Sequence, residues 1–109
     1  MALLKGTLDV LVLKTLSWGP MHGYEITSWL ETQSSRRVEV TDAALLQALH
    51  RLEERKLLAA AWGETENGRR ARYYKLTSAG RAHLRAESAA LLEQFGTIAA
   101  VLAVSTSGR

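Results

Sequence analysis

The chain has 109 residues, a net charge of +3 and no cysteine, with 47% hydrophobic and 23% charged residues. A chain this long makes one domain and buries roughly two thirds of its unfolded surface in a single core. Its composition excludes wholesale disorder, and the missing cysteines exclude disulfides, thiol redox sensing and cysteine-based zinc sites.

A reducing, cytoplasmic location agrees with the absence of cysteine. Lys5 and Asp9 interrupt the N-terminal apolar run, which argues against a signal peptide. No uncharged apolar run reaches the about 18 residues of a membrane span, so no membrane partner is expected. Neither an internal repeat nor a long linker is visible.

Leu3 to Ser17 predicts a helix, because Leu4, Leu8, Leu11, Val12 and Leu16 recur on one helical face. Leu3, Val10 and Leu13 widen that face, so the helix needs a partner on a second side, from this chain or another copy. Gly19 and Pro20 end it. A second helix is expected from His22 to about Gln33, with Ile26, Trp29 and Leu30 inward and Tyr24 packing beside them. A helix after a tight Gly-Pro break resembles the first half of a helix-turn-helix. The connection from Ser34 to Val40 is polar, and Val38 and Val40 alternate with Glu39 as a short extended segment would.

The third helix is expected from Thr41 to Lys56. Thr41 can cap it, and Asp42 in its first turn suits the helix dipole. Leu45, Leu49 and Leu52 form the inward stripe, and Ala43, Gln47, His50, Arg51 and Glu54 fall on the opposite side. Small residues at the start of that side, with Gln, His and Arg beyond, are what a helix entering a major groove requires. An amphipathic surface helix reads the same way.

Trp62 to Leu76 reads as two strands around a turn. Leu58, Ala60 and Trp62 alternate on one face and Tyr74 and Leu76 match them. Asn67-Gly68 supplies a turn that tolerates positive φ. No acidic residue lies between Glu66 and Glu87, while that interval holds Arg69, Arg70, Arg72, Lys75, Arg81 and Arg85. Such a patch fits nucleic acid or an anionic membrane surface, and a solvated charged face is the alternative. The strand-turn-strand setting favours a wing that grips a polyanion.

Thr77 can cap a last helix from Ser78 to Val104. Leu84, Ser88, Leu91, Phe95, Ile98 and Leu102 follow a heptad a/d seam, broadened by Leu92, Ala99 and Val101. A helix of about 26 residues spans roughly 39 Å, more than so small a domain covers, which predicts a dimerisation helix. The fold class expected is mainly α with a small β-hairpin: a winged helix-turn-helix over 1–76, a dimerisation helix over 77–104 and a disordered tail over 105–109. His22, His50 and His83 lack metal-ligand spacing, and no Ser-His-acid set or Gly-rich phosphate loop appears. The chain is therefore expected to be no enzyme, with no metal or cofactor.

LLKGTLDVLVLKTL, SWGPMHGYEI, ALHRLEERKLL and NGRRARYYKLTSAG together resemble the PadR family of bacterial transcriptional regulators, in its short subgroup with one C-terminal helix. The resemblance runs from Leu3 to about Leu102. It implies a homodimeric repressor that binds a pseudo-palindromic double-stranded operator and releases it when a small molecule binds. The DNA-binding residues it implies, together with the helix face and hairpin above, are Thr41, Ala43, Ala44, Gln47, His50, Arg51, Arg69, Arg70, Arg72 and Lys75. It also implies a dimer interface of Leu4, Leu8, Leu84, Leu91, Phe95, Ile98 and Leu102. An effector pocket is expected beside Leu91, Leu92, Phe95 and Ile98, where a plain dimer core is the alternative.

Relatives open the recognition helix with a Ser-Leu-Tyr-Pro-Ala-Leu type motif. Here the stretch is Ala44-Leu45-Leu46-Gln47-Ala48-Leu49, without the hydroxyl, the Tyr or the Pro. Leu46 stands where the family's Tyr meets phosphate and cannot donate a hydrogen bond. Three readings follow: a different operator read by Gln47, an affinity that leans on the wing, or weakened DNA binding. The last makes a winged-helix protein-interaction module the competing function.

Overall fold

A computed structural model of the chain describes residues 3 and 6–106. Along it run α1 (Thr7–Leu16), β1 (Met21–His22), α2 (Gly23–Gln33), α3 (Asp42–Glu54), β2 (Leu58–Glu64), β3 (Arg70–Leu76) and α4 (Ser78–Leu102). The mainly α architecture with a hairpin wing is as expected from sequence. Leu4 and residues 107–109 of the expected tail lie outside the described residues.

The core forms around α1, which packs against α2, α3, α4 and β3. Val12, Leu13 and Leu16 are fully buried there. They meet Ile26 and Leu30 of α2, Leu45, Ala48, Leu49 and Leu52 of α3, Tyr74 and Leu76 of β3, and Leu84 of α4. Tyr24 does not join them and is 81% exposed. Two residues before Ile26, it lies about 200° around the helix from it.

Local hydrogen bonds set the helix ends. Gly6 is left-handed at φ 87, and a right-handed helix does not pass through that conformation, so α1 starts at Thr7 and not at Leu3. His22 caps α2: its Nδ1 accepts the Glu25 N–H at 3.4 Å, and Glu25 Oε1 accepts the His22 N–H at 3.1 Å. This is a reciprocal capping box. Thr41 Oγ1 accepts the Ala44 N–H at 3.1 Å and opens α3.

α3 ends at Glu54, short of Lys56. Lys56 turns left-handed at φ 60, its N–H donates to the Glu53 carbonyl at 2.9 Å, and the Leu57 N–H donates to the Leu52 carbonyl at 3.0 Å. That is a Schellman motif. The segment with Val38 and Val40 forms no strand. It leaves α2 through left-handed Ser35 and Arg36.

The sheet has three antiparallel strands in the order β1-β3-β2. β1 was not expected, because two residues carry no alternation to read. It pairs Met21 with Tyr74 and His22 with Tyr73. Between β2 and β3, the Thr65 N–H donates to the Arg69 carbonyl at 2.8 Å and the Gly68 N–H to the Thr65 carbonyl at 2.9 Å. Only Gly68 in this turn has positive φ, 76°. This is a three-residue hairpin loop closed by a glycine bulge, and Asn67 does not share the positive φ.

α4 is anchored at its first turn. Thr77 Oγ1 donates to the Lys56 carbonyl at 2.7 Å and accepts the Gly80 N–H at 3.0 Å, while the Thr77 N–H donates to the Leu57 carbonyl at 3.1 Å. A Cβ on Gly80 would overlap the Leu57 carbonyl oxygen. From there the 25 residues of α4 run roughly 37 Å and leave the domain, giving extents of 63 × 28 × 21 Å. Leu92, Phe95, Ile98, Val101 and Leu102 are exposed on the outgoing half. Among the described residues, no helix is long and apolar enough to cross a membrane.

Gly80→Ala is expected to lower unfolding free energy in urea by about 1–3 kcal/mol, since the methyl has no room against backbone.

Candidate nucleic-acid interface

α3 turns its small and polar side outward. Thr41, Ala43, Gln47 and His50 are exposed and Ala44 is half-buried. Ala43, Gln47 and His50 lie roughly opposite the buried Leu45, Ala48, Leu49 and Leu52, so burial of the apolar stripe is what presents this side. Arg51 is also exposed but is engaged: its Nη2 and Nε donate to the two Asp9 carboxylate oxygens at 2.7 and 3.3 Å. That hydrogen bonding raises the Arg51 pKa further above its ordinary value, with the Asp9 charge adding to it. The guanidinium therefore ties α3 to the first turn of α1.

The hairpin carries one continuous face from core to solvent. Cross-strand pairs along it are Leu58 with Leu76, Ala60 with Tyr74, Trp62 with Arg72 and Glu64 with Arg70. The first pair is buried, and by the third both side chains are exposed. Burial raises the Tyr74 pKa, partly offset by the nearby Arg72 charge.

Arg72 Nη2 donates to Glu53 Oε2 of α3 at 2.7 Å, which joins the wing to α3. The Arg70 guanidinium lies 4.5 Å from the centre of the Trp62 ring. Lys75 belongs to the other face of β3, beside Tyr73, because strand side chains alternate. Arg69 sits in the turn, its N–H bonded to Thr65 Oγ1 at 3.2 Å. Among the described residues, neither Arg69, Arg70 nor Lys75 enters an ion pair.

The ten sequence-predicted residues thus divide. Thr41, Ala43, Ala44, Gln47, His50, Arg69 and Arg70 face outward from α3 and the wing tip. Arg51 and Arg72 are held by carboxylates, and Lys75 points away. Sequence reasoning missed Asp9, Glu53 and Trp62 as partners. The hairpin register alone would have placed Trp62 opposite Arg72, whereas the two carboxylates come from distant parts of the chain.

A groove of about 760 Å³ opens between α2, α3 and β3, with Tyr24, Thr27, Leu45, Leu46 and Tyr74 on its walls. The Thr27 hydroxyl is buried there and has no hydrogen-bond partner among the described residues. The four residues expected to line an effector pocket lie along α4, Leu91 half-buried and Leu92, Phe95 and Ile98 exposed. Among the described residues, no group of three His, Cys, Asp or Glu could hold a metal ion.

The sequence profile of the transcriptional regulator PadR-like family matches residues 12–86. The chain belongs to that family. Similar solved structures include a PadR family transcriptional regulator from Eggerthella lenta, 27% identical, covering 93% of this chain and 86% of that one at a TM-score of 0.77. A PadR-like transcriptional regulator from Bacillus cereus is 22% identical and covers 93% of this chain and 96% of that one at a TM-score of 0.80. Bacillus subtilis PadR, solved in complex with operator DNA, is 20% identical and covers 72% of this chain and 44% of that one at a TM-score of 0.64. The matched region runs from inside α1 through the first turns of α4, so it takes in both α3 and the whole wing.

Within this PadR-like framework Leu46 is 53% exposed and borders the groove. α3 thus offers an apolar surface at Leu46. Thr41→Ala removes the cap that opens this helix and is expected to cost about 1 kcal/mol in urea unfolding.

Proposed function

We propose that this PadR-like protein is a sequence-specific, homodimeric DNA-binding repressor of the cytoplasm that responds to a small molecule. What carries the proposal is the exposed side of α3 lying beside a wing whose tip holds Arg69 and Arg70, neither of them in an ion pair among the described residues. In this reading α3 enters the major groove, with Gln47 and His50 toward base edges, and the wing meets flanking phosphates. Bacillus subtilis PadR, a structural neighbour in complex with operator DNA, supports the same use of the fold.

The exposed apolar half of α4 supports a homodimer, in which Leu91, Phe95, Ile98 and Leu102 continue the seam and Leu8 of α1 lies alongside, while Leu84, expected in that seam, is buried in the protomer's own core. A twofold dimer reads a pseudo-palindrome with half-sites about 34–36 Å apart. A small-molecule effector would lie against Leu91, Leu92, Phe95 and Ile98 where two copies meet.

Arg69→Ala with Arg70→Ala should flatten the dependence of log affinity on log salt by about two units per wing and about four per dimer. Fluorescence anisotropy on an operator duplex measures it, and an unchanged slope would remove the wing from the interface. Ile98→Glu should convert the dimer to monomer in sedimentation velocity, because pairing the seam would bury a carboxylate.

The exposed Leu46 favours a second reading, a winged-helix dimer that docks a protein partner. A gel shift against the promoter DNA beside its own coding sequence separates the two. Absence of a shift at low salt favours the docking module.

A further inference from the structure

We propose that Trp62 is a positioning residue of the DNA interface: its indole face holds the Arg70 guanidinium at the wing tip with its hydrogen-bonding edge turned to a phosphate. The inference rests on the reading of the hairpin as a DNA-contacting wing, and it names what orients that wing's charge.

Trp62 is 57% exposed, so burial alone does not account for it. It stands opposite Arg72 and diagonal to Arg70 on the same face of the hairpin, within the reach of long side chains across a strand pair. Both guanidinium carbons approach its ring, Arg70 at 4.5 Å and Arg72 at 5.9 Å from the centroid. Of the two, Arg72 is spent on Glu53 of α3 at 2.7 Å. Glu64, directly across from Arg70, forms no ion pair with it among the described residues. Arg70 is thus held by an aromatic ring and not by a carboxylate.

That difference decides what Arg70 can do. A carboxylate occupies the N–H edge of a guanidinium, the same edge that a phosphate needs. An aromatic ring occupies the face and leaves the edge donors free. An unrestrained exposed arginine gives up rotamer freedom when it binds. Stacking removes part of that loss before DNA arrives. The chain of contacts from Glu53 through Arg72 and Trp62 to Arg70 also sets the tip relative to α3.

The test uses the full-length protein, fluorescence anisotropy and two duplexes, one of mixed sequence and one selected by the protein from a random library, across a salt series. W62A should weaken binding about two- to fivefold per wing, the range of an exposed cation–π contact, with the salt slope unchanged because Arg70 keeps its charge. R70A should lower the slope by about 0.9 per wing, and W62A/R70A should bind like R70A. W62F, which keeps a π face, should bind close to wild type, and W62L, apolar without one, should fall to the level of W62A. In a W18F/W29F background, the remaining Trp62 fluorescence should change on R70A without DNA present.

Equal binding by W62F and W62L would overturn the inference, as would additive losses in W62A/R70A. If R70A weakens binding and W62A does not, the positioning role fails while the wing reading stands. If Arg69→Ala with Arg70→Ala binds like wild type, the wing reading fails and this inference with it. Should W62A lower the melting temperature, the contrast between W62F and W62L still decides.

Discussion

The backbone at Lys56 and Leu57 is the point on which the rest of the structure depends. Lys56 adopts the left-handed turn that stops α3, and a non-glycine residue there costs about 1 kcal/mol or more. The same two carbonyls receive the Thr77 hydroxyl and the Thr77 N–H. Gly80 lies directly against the Leu57 carbonyl. The end of α3, the root of the wing and the start of the long helix are thereby tied within two residues. None of the three can move at this point without disturbing the other two.

Beyond this junction the hairpin passes from one kind of physics to another. Its root is held by burial of Leu58, Tyr74 and Leu76. Its outer half has no core to rest on, and beyond the backbone ladder it is held by the Arg72–Glu53 pair, the Tyr73 hydroxyl on the Glu64 carbonyl and the Arg70 contact with Trp62. Exposed pairs of this kind add only about 0–1 kcal/mol of stability. Their value is geometric: they place the tip, and they determine which cations keep their donors free.

That sorting of cations was hidden from the sequence. Arg51, Arg69, Arg70 and Arg72 are alike as letters in a basic, partly helical and partly hairpin context. Arg51 meets a carboxylate 42 residues away and Arg72 one 19 residues away, and no spacing rule reaches across such intervals. Tyr24 was misplaced on a shorter scale, because its helix was read as apolar on too wide an arc. The strand β1 escaped notice since two residues have no period, and only β3 alongside makes them a strand.

What the sequence determined by itself is what lies within a few residues of each position. The apolar period placed the core faces of α1, α2 and α3. Thr41 and Thr77 announced helix starts through hydroxyls that accept N–H groups three residues on, and Gly68 marked the hairpin turn. The family followed from such local signals taken in order. Only the tertiary structure decided which wing-tip arginines stay out of ion pairs, where α3 stops, and that the wing is braced to it through Glu53. Those outcomes depend on distances between segments far apart in the chain, which exist only once the apolar faces have packed.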